Sequence, residues 1–339
     1  MKILVTGGAG FIGCNLVRHL VEAYPDDFIV NLDALTYAGC RASVRDLEEK
    51  PNYSFIEGDI TDAALVEDVM AGVDAVMHLA AESHVDRSIT DPGAFVRTNV
   101  LGTQVLLEAA RRRGVARFLY VSTDEVMGSL GPDGLFSEDT PLAPNSPYSA
   151  SKAGGELLAR AFFHTYGMET VITRCSNNYG PYQFPEKLIP LFLLNLLDGQ
   201  TVPVYGDGQN VRDWLFVEDH CRALDVVLRK GIPGEVYCVG GNCEKTNLEL
   251  TRWLVNATGR GEDAIRYVQD RPGHDRRYAI DAAKIKQNLG WEPAHDFESG
   301  MNATISWYKA NPWWWQPLRA RGLDPARAAA NLLPAESKR

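Results

Sequence analysis

The fold of this chain is decided at residues 6–13, which read TGGAGFIG. They follow the short apolar run of residues 2–5 and precede an apolar helical pattern. Glycine has no Cβ, so Gly7, Gly10 and Gly13 allow a tight turn and a close approach of the backbone to a pyrophosphate, which a helix N-terminus attracts. Glycine-rich turns also precede helices of other kinds, but this one lies between a strand and a helix. That position indicates the first βα unit of a dinucleotide-binding sheet.

The next apolar run, residues 28–32, ends at Asp33, 20 residues after Gly13. A carboxylate at the end of this second strand can accept hydrogen bonds from the ribose hydroxyls of an adenosine, and it repels a 2′-phosphate. The spacing therefore predicts NAD rather than NADP as the cofactor. The alternative interpretation is a solvent-facing aspartate that closes the strand.

Further strand-like runs alternate with amphipathic helical patterns along the first half of the chain. The predicted strands are residues 53–56, 74–81, 118–121 and 169–174, and the predicted helices are residues 95–112 and 148–166. Strands that alternate with helices after a glycine-rich first turn predict an α/β fold with a doubly wound parallel Rossmann sheet.

The residue composition changes after Arg174, where amide side chains and turn-forming residues become frequent. We expect a smaller C-terminal substrate-binding lobe to begin there, and a later segment to return to the first domain. The predicted organisation is an NAD-binding Rossmann domain at 1–176 with 211–240, a lobe at 177–210 and 241–320, and a C-terminal tail at 321–339.

The composition is that of an ordinary globular protein with an acidic surface. Hydrophobic residues make up 45% and charged residues 23% of the 339 residues, and the formal net charge is −10. That charge argues against a nucleic-acid surface, and no apolar run reaches the ~20 residues of a membrane span. The chain starts directly in a strand, without a signal-peptide pattern. Its six scattered cysteines lack a CxxC pair, which favours free thiols over disulfides or a zinc site. We therefore expect a cytoplasmic protein with no metal, no nucleic-acid partner and no membrane contact.

Two short signals point to one catalytic site. The first, STDE, ends at Glu125 directly after a strand, and the second, YSASK, runs from Tyr148 to Lys152 at the start of a helix. Four residues separate the phenol from the ammonium, so both lie on one helix face, where the positive charge favours the phenolate. Such a tyrosine can exchange a proton with a hydroxyl while a nicotinamide takes or returns a hydride. Asp124 and Glu125 add an acid/base pair that alcohol oxidation does not require, which predicts an elimination as well.

Other polar residues have both a functional and a structural interpretation. His84, in a polar loop, is either catalytic or, more simply, hydrogen-bonded within that loop. The basic segment 271–277 is either a charged surface loop or part of a site for a nucleotide diphosphate. Lys187 and Arg212 favour the second interpretation, because they supply further cations in the same lobe. The three consecutive tryptophans 313–315 indicate packing rather than chemistry.

Several motifs resemble those of the extended short-chain dehydrogenases/reductases that act on nucleotide sugars, most closely the dTDP-glucose 4,6-dehydratases. The similar segments run over almost the whole chain. They are TGGAGFIG at 6–13, AAESHVDRS at 80–88, SNNYGP at 176–181, PEKLIP at 185–190, RDW at 212–214 and RPGHD at 271–275. The dinucleotide turn and the YxxxK pattern are shared with epimerases and decarboxylases, whereas TDE at 123–125 is typical of the dehydratases.

The resemblance implies a three-stage reaction without net redox change. Tyr148, aided by Lys152, removes the proton of the sugar 4-hydroxyl as hydride passes from C4 to NAD, while Thr123 hydrogen-bonds near that hydroxyl. The 4-keto group acidifies the C5 proton, which Glu125 removes as Asp124 protonates the departing 6-hydroxyl. Hydride then returns to C6 and gives a 4-keto-6-deoxy sugar. The two carboxyl groups can share this work only if the strand has ended before them, because neighbours in a regular strand point to opposite faces.

The residues and the resemblance together define the expected site. The predicted catalytic residues are Thr123, Asp124, Glu125, Tyr148 and Lys152. The predicted cofactor-binding residues are Gly7, Gly10, Phe11, Ile12, Gly13, Asp33, Ala34, Leu35, Thr36, Asp59, Ile60, Leu79, Ala80, Ala81, Ser83, Thr98, Tyr148, Lys152 and Asn177. The predicted residues for binding the nucleotide-sugar substrate are Ser83, Thr123, Asn178, Lys187, Leu188, Pro203, Val204, Tyr205, Arg212, Asn242, Asp270, Arg271, Pro272, Gly273 and His274.

One position departs from the family pattern, which usually has tyrosine where this chain has Met127. Methionine keeps apolar bulk but lacks the hydroxyl, so the rate or the sugar preference would change if that hydroxyl has a role. In similar enzymes the helices equivalent to 95–112 and 148–166 pack between two subunits, which implies a homodimer. The alternatives are a 4-epimerase, a decarboxylase, or a protein that binds NAD without turnover; the complete Tyr148–Lys152 pair argues against the last.

Overall fold

The structure, a computed structural model, describes residues 1–270 and 274–322. Its strands are β1 (Lys2–Thr6), β2 (Phe28–Asp33), β3 (Tyr53–Glu57), β4 (Ala75–His78), β5 (Arg117–Thr123), β6 (Thr170–Cys175), β7 (Asn177–Tyr179), β8 (Val202–Tyr205), β9 (Val211–Phe216), β10 (Val236–Val239), β11 (Glu244–Thr246) and β12 (Ile265–Val268). Its α-helices are α1 (Phe11–Ala23), α2 (Ala63–Val69), α3 (Val85–Thr90), α4 (Pro92–Phe95), α5 (Thr103–Arg113), α6 (Pro147–Tyr166), α7 (Leu188–Leu197), α8 (Val217–Lys230), α9 (Asn247–Ala257), α10 (Ala283–Leu289), α11 (Phe297–Ala310) and α12 (Pro312–Gly322).

Seven strands form one sheet in the order β10-β6-β5-β4-β1-β2-β3, and all neighbouring pairs are parallel. β1 lies between β2 and β4, with Val5 opposite Asn31 on one side and Met77 on the other. The direction in which strands are added reverses between β1 and β4, so a crevice opens there at the carboxyl ends of the strands. Sheets of this kind bind ligands at that position. The predicted doubly wound parallel α/β sheet is confirmed.

Helices cover both faces of this sheet, which explains why its strands are apolar along their whole length. Ile3 and Val5 of β1 belong to a core on the α1 and α8 side, where Leu224 packs. Leu4 points to the opposite face, where it shares a second core with Leu107 of α5 and with residues of α2 and α6. Alternate residues of one strand therefore serve two cores.

The remaining strands lie outside the large sheet. β7, β9 and β11 form a three-stranded sheet and β8 pairs with β12. Trp314, 3% exposed, packs in the core of this part of the chain, and its indole N–H donates to Ser43 Oγ at 2.9 Å. The half-buried Trp315 donates to the Tyr308 carbonyl at 2.8 Å. The predicted packing role is confirmed for these two tryptophans, whereas Trp313 is 55% exposed.

The helix predicted over residues 95–112 is present but has an irregular middle. α4 continues into the π-helical segment Val96–Gly102 before α5 begins. Thr103 Oγ1 donates to the Asn99 carbonyl at 2.7 Å, and the buried Asn99 amide bonds to groups outside the helix. π-Helical segments inside α-helices are frequent at functional sites.

No helix among residues 1–270 and 274–322 is long and apolar enough to cross a bilayer. All six cysteines lie in this part of the chain, and all are free thiols. Arg271, Pro272 and Gly273, and residues 323–339 of the predicted tail, lie outside the described residues.

Candidate active site

One cavity opens at the carboxyl ends of the seven-stranded sheet. Residues that follow β1, β2, β3, β4, β5 and β6 line it, together with the start of α6. All five predicted catalytic residues line this cavity, as do the predicted cofactor-binding residues other than Leu35. Of the predicted substrate-binding residues, Ser83, Thr123, Asn178 and Lys187 line it.

The turn between β1 and α1 is shaped by glycine. Gly7 has φ +75°, and a Cβ on Gly13 would lie 2.1 Å from the Gly7 carbonyl oxygen, so both positions require glycine. A Cβ on Gly7 would lie 2.7 Å from the main chain of Ala80. The first turn of α1 carries no acidic side chain, and its N-cap, Gly10, provides no side-chain cap. The helix N-terminus can therefore receive an anion, which fits the pyrophosphate of a dinucleotide.

Asp33 closes β2 at the rim of the cavity. It is 7% exposed, and its two carboxylate oxygens accept the Ala9 N–H and the Leu35 N–H, each at 2.8 Å. Burial raises the pKa of this carboxyl, and the amide hydrogen bonds oppose that effect. The solvent-facing interpretation of Asp33 is therefore wrong. Leu35, with φ 49°, supports this rim through its main chain rather than by lining the cavity.

Tyr148 and Lys152 lie in the first two turns of α6, which begins with a capping box at Ser146. Both side chains are buried, and the Lys152 ammonium donates to the Val121 carbonyl at 2.6 Å. Burial lowers the pKa of Lys152 to about 8. Burial, and then the carboxylate of Glu125, raises the pKa of Tyr148 well above its ordinary value. The predicted stabilisation of the phenolate by Lys152 is therefore outweighed by burial and by Glu125, which favour the protonated phenol.

Asp124 and Glu125 follow the end of β5. The strand stops at Thr123 and Asp124–Met127 form a 3₁₀ turn, so the condition for both carboxyl groups to serve one site is met. Thr123 Oγ1 donates to Asp124 Oδ1 at 3.3 Å and accepts the Glu125 N–H at 3.4 Å. Asp124 is 2% exposed, and burial, followed by repulsion from Glu125 and Asp213, raises its pKa well above the ordinary value. Burial thus favours the protonated form of Asp124 beside the half-buried Glu125.

Asn99 organises this site, although nothing in its sequence context marks it. Its Oδ1 accepts the Glu82 N–H at 2.9 Å, and its amide donates to the Glu82 carbonyl at 3.0 Å and to Ser151 Oγ at 2.8 Å. It therefore ties the loop after β4 to α6, one residue before Lys152. Further lining residues that the sequence did not single out are Leu32, Tyr37, Ala38, Gly39, Glu82, Val121, Ser122, Cys175, Ser176, Gln183 and Phe184.

Arg212 lies in β9 and does not line the cavity. It is 6% exposed, and its guanidinium donates to the carbonyls of Val211 and Asp275 at 2.7 and 3.0 Å. The same group lies 4.4 Å from the centre of the Tyr278 ring. Its charge also reaches the site, because it lowers the pKa of Asp124 against the larger effect of burial.

The other predicted substrate-binding residues are spread over the second part of the chain. Asn242, with φ 51°, lines a separate cavity beside Trp291 and His295 and is not brought to the main one. His274 Nδ1 lies 2.6 Å from Asp270 Oδ1. Leu188 begins α7, and Pro203, Val204 and Tyr205 belong to β8; none of these lines the main cavity.

The loop after β4 contacts the start of the lobe at the cavity rim. Lys187 Nζ donates to the Ser83 carbonyl at 3.4 Å, and His84 Nε2 lies 3.5 Å from Glu186 Oε1. The His84 contact fits its interpretation as a loop histidine with a partner of its own.

Comparison with known proteins identifies the family. The family model of the GDP-mannose 4,6 dehydratases matches residues 4–304. The chain belongs to this family. Among its curated members, the dTDP-glucose 4,6-dehydratase of Streptomyces antibioticus is 56% identical over 331 residues, which cover 96% of this chain and 98% of that protein.

Solved structures of the GDP-mannose 4,6 dehydratase family and its neighbours share the fold. The dTDP-glucose 4,6-dehydratase DesIV of Streptomyces venezuelae, crystallised with NAD and dTDP, is 53% identical and has a TM-score of 0.92. The alignment covers 94% of this chain and all of that one. A UDP-glucose 4-epimerase of Thermotoga maritima, solved with UDP-glucose, is 32% identical with a TM-score of 0.85, covering 91% and 99% of the two chains.

Proposed function

We propose that this member of the GDP-mannose 4,6 dehydratase family is an NAD-dependent lyase that converts dTDP-glucose into dTDP-4-keto-6-deoxyglucose and water. The observation that carries the proposal is one cavity lined by Tyr148, Lys152, Asp124 and Glu125, in which burial raises the pKa of Asp124 and so favours its protonated form. A protonated acid beside a second carboxyl group is what an elimination requires and an epimerisation does not. The dehydratases at 50–56% identity support the same substrate.

The residues of the cavity fit NAD. The glycine turn would hold the pyrophosphate at the start of α1, and Asp33 would hold the adenosine ribose and disfavour a 2′-phosphate. Ile60 and Asp59 would flank the adenine, and the small residues Ala80 and Ala81 leave room for the cofactor beside β4. When bound there, NAD would supply the hydride chemistry of the reaction, as acceptor from C4 of the sugar and donor to C6.

Oxidation is assigned to Tyr148, Lys152 and Thr123. Tyr148 removes the proton of the sugar 4-hydroxyl, and Thr123 hydrogen-bonds near that hydroxyl. Burial raises the pKa of Tyr148 and so favours the phenol. A nearby cation lowers the pKa of a phenol. Tyr148 therefore becomes an effective base when positive charge is brought close to it in the cavity. We assign the ammonium of Lys152, one turn along α6, to support this step, although by itself it does not outweigh the effects of burial and Glu125 on the pKa of Tyr148.

Elimination is assigned to Glu125 and Asp124. Glu125 removes the C5 proton, which the new 4-keto group acidifies, and Asp124 gives its proton to the departing 6-hydroxyl. Consecutive residues of a 3₁₀ turn are rotated by about 120°, so two neighbouring carboxyl groups can reach different atoms of one hexose. Because burial raises the pKa of Asp124, this carboxyl group suits the role of the acid, and Glu125 is left as the base.

We assign sugar binding to Ser83, Asn178 and Lys187, and diphosphate binding to Arg212 with the segment 270–274. The proposed domain division follows the prediction with one refinement. Val211–Phe216 belongs to the lobe, because β9 pairs with β7 and β11. α8 and β10 return to the NAD-binding domain, where β10 pairs with β6.

The proposed assembly is a homodimer built on the π-helical segment and α6. Val96 and Leu157 are 55% and 52% exposed on these elements. A Cβ on Gly154, one turn before Leu157, would lie 3.1 Å from Val100, so the two elements form one outer surface. Contiguous exposed apolar side chains mark interaction surfaces. The six free thiols support a reducing, cytoplasmic location.

Incubation of the protein with dTDP-glucose and NAD, followed by mass spectrometry of the product, tests the proposed function. We expect a product lighter than the substrate by one water, with no net formation of NADH. UDP-glucose in a parallel reaction tests the choice of nucleotide. A product with the mass of the substrate would reject dehydration and favour the 4-epimerase instead.

A further inference from the structure

We propose that Tyr120 is a positioning residue that holds both ends of Lys152 for the oxidation step. Tyr120 lies in β5, is fully buried and does not line the cavity. Its contribution therefore acts through Lys152, whose side chain does line the cavity. The inference rests on the role of Lys152 in the proposed function.

The first contact fixes the main chain of Lys152. Tyr120 Oη donates to the Lys152 carbonyl at 3.0 Å. This carbonyl belongs to the second turn of α6, so a side chain from the sheet fixes the helix at its reactive turn. The contact requires a glycine in the next turn, because a Cβ on Gly155 would lie 2.4 Å from Tyr120 Oη.

The second contact holds the ammonium. Lys152 Nζ lies 4.4 Å from the centre of the Tyr120 ring and donates to the carbonyl of the next residue, Val121, at 2.6 Å. Two consecutive residues of β5 thus attract the cation, one with its ring face and one with its carbonyl. Burial disfavours an ammonium, and these two contacts oppose that effect while they direct the side chain along the cavity wall.

The Tyr120 ring is held in place from behind by His78. The two rings meet edge to face with centres 5.5 Å apart. His78 Nε2 lies 2.9 Å from Thr103 Oγ1, and Nδ1 lies 2.7 Å from Thr6 Oγ1. The Thr103 hydroxyl already donates to a carbonyl of the π-helical segment, so it accepts the Nε2–H, and Thr6 donates to Nδ1. Burial and the charge of Lys152 lower the pKa of His78 well below its ordinary value, so His78 adds no second cation.

Two other titratable groups near Lys152 affect the pKa of its ammonium. Glu156 on α6 and Cys175 on β6 favour the ammonium, against the larger effect of burial. Glu156 is paired with Arg174 at 2.7 Å, and burial raises the pKa of Cys175 to about 12. A substitution at Tyr120 therefore changes the surroundings of Lys152 without changing a charge.

Three variants of the full chain test this inference. Tyr120→Phe keeps the ring and loses the hydroxyl, Tyr120→Leu loses both, and Phe118→Leu removes a fully buried ring two residues earlier on the same strand face. Lys152 is titrated in the cofactor-free protein by NMR of ¹³Cε-labelled lysines, with its signal assigned by its loss in Lys152→Met. NADH formation after addition of dTDP-glucose is followed in single turnovers.

We expect Tyr120→Leu to lower the pKa of Lys152 by about 1.5 units, the shift that corresponds to loss of a buried cation–π contact. NADH formation should fall about tenfold in this variant. Tyr120→Phe should leave the Lys152 titration unchanged but slow NADH formation several-fold, because only the helix contact is lost. Phe118→Leu should leave the titration unchanged.

An unchanged Lys152 titration in Tyr120→Leu, or an equal shift in Phe118→Leu, would overturn the inference. If Tyr120→Leu does not fold, Tyr120→Phe tests the inference in its place. An unchanged rate of NADH formation in Tyr120→Phe overturns the inference as well. Lys152→Met separates this inference from the proposed function. Normal NADH formation in Lys152→Met rejects the role of Lys152 in the proposed function. Loss of NADH formation in Lys152→Met, together with unchanged NADH formation in the Tyr120 variants, rejects only the positioning role of Tyr120.

Discussion

At the end of β5, two adjacent carboxyl groups are kept in different environments. Asp124 is buried with its pKa raised well above the ordinary value, whereas Glu125 is half-buried. The first is suited to give a proton and the second to take one. A single turn of 3₁₀ helix thus provides both groups that an elimination needs.

Glu125→Gln and Asp124→Asn separate these roles. We expect Glu125→Gln to allow oxidation but block water loss, so that bound NADH accumulates and little C5 hydrogen exchanges with solvent. Asp124→Asn should retain more C5 exchange while 6-deoxy product still falls sharply. Each general acid or base typically contributes ~10²–10⁴-fold, which absorbance and deuterium incorporation can resolve. Unchanged product formation in Glu125→Gln would remove that residue from the mechanism.

Lys152 sets an alkaline limit to the reaction. Its pKa in the protein is about 8, so the ammonium is lost as the pH rises through that value. We expect kcat/KM to fall above about pH 8, because this parameter reports the ionisation of the free enzyme. Lys152→Arg should be slower but should lack this alkaline fall, since a guanidinium stays charged. The same fall in Lys152→Arg would assign it to another group.

Met127 replaces the family's usual tyrosine without changing the cavity wall. It is 3% exposed and packs with Phe136, Ala153 and Tyr278 behind the 3₁₀ turn. The thioether fills space next to Ala153, the neighbour of Lys152. The methionine side chain therefore takes part in the packing beneath the catalytic residues.

Among the secondary-structure elements, α6 must be positioned accurately against the sheet, because it carries Tyr148 and Lys152. A buried ion pair joins it to β6, where Arg174 donates to Glu156 Oε1 through two nitrogens at 3.0 and 2.7 Å. The two side chains are 6% and 4% exposed. The pair fixes the rotation of α6 one turn beyond Lys152.

Arg174→Met should destabilise the fold by about 3–5 kcal/mol, because it leaves the Glu156 carboxylate buried without its partner. Urea unfolding followed by circular dichroism measures the loss. The double variant Arg174→Met/Glu156→Leu should recover most of it. Arg252→Met is the control, since its pair with Glu262 is exposed at 50% and 65% and should contribute under about 1 kcal/mol. Equal losses in the two single variants would contradict this account.

At the scale of the whole molecule, the proposed dimer surface can be tested with a single substitution that introduces a carboxylate. Leu157→Glu should yield monomers at micromolar concentration in light scattering, because it buries a carboxylate in an apolar contact. Ile232→Glu is the matched control, since Ile232 is 51% exposed and Leu157 52%, but Ile232 lies outside the π-helical segment and α6. A wild-type monomer, or a dimer that persists in Leu157→Glu, would argue against this surface.

Local patterns in the sequence determined the architecture and most of the cavity lining. The glycine spacing at 6–13, the acidic end of the second strand and the four-residue spacing of Tyr148 and Lys152 each depend on a few neighbouring residues and on the period of one element. For that reason the parallel sheet and the turn at α1 could be predicted from the sequence, whereas the end of β5 at Thr123 was only a condition of the proposed roles of Asp124 and Glu125.

Only the tertiary structure decided which titratable groups are buried and which partners come from distant parts of the chain. The phenolate expected at Tyr148 is opposed by burial and by Glu125, which a helix face alone does not reveal. Asn99, in the π-helical segment, bonds to partners 17 and 52 residues away in the sequence, and Asn242 lies in another cavity. Desolvation and the approach of distant segments depend on how the whole chain packs, and no local pattern contains that information.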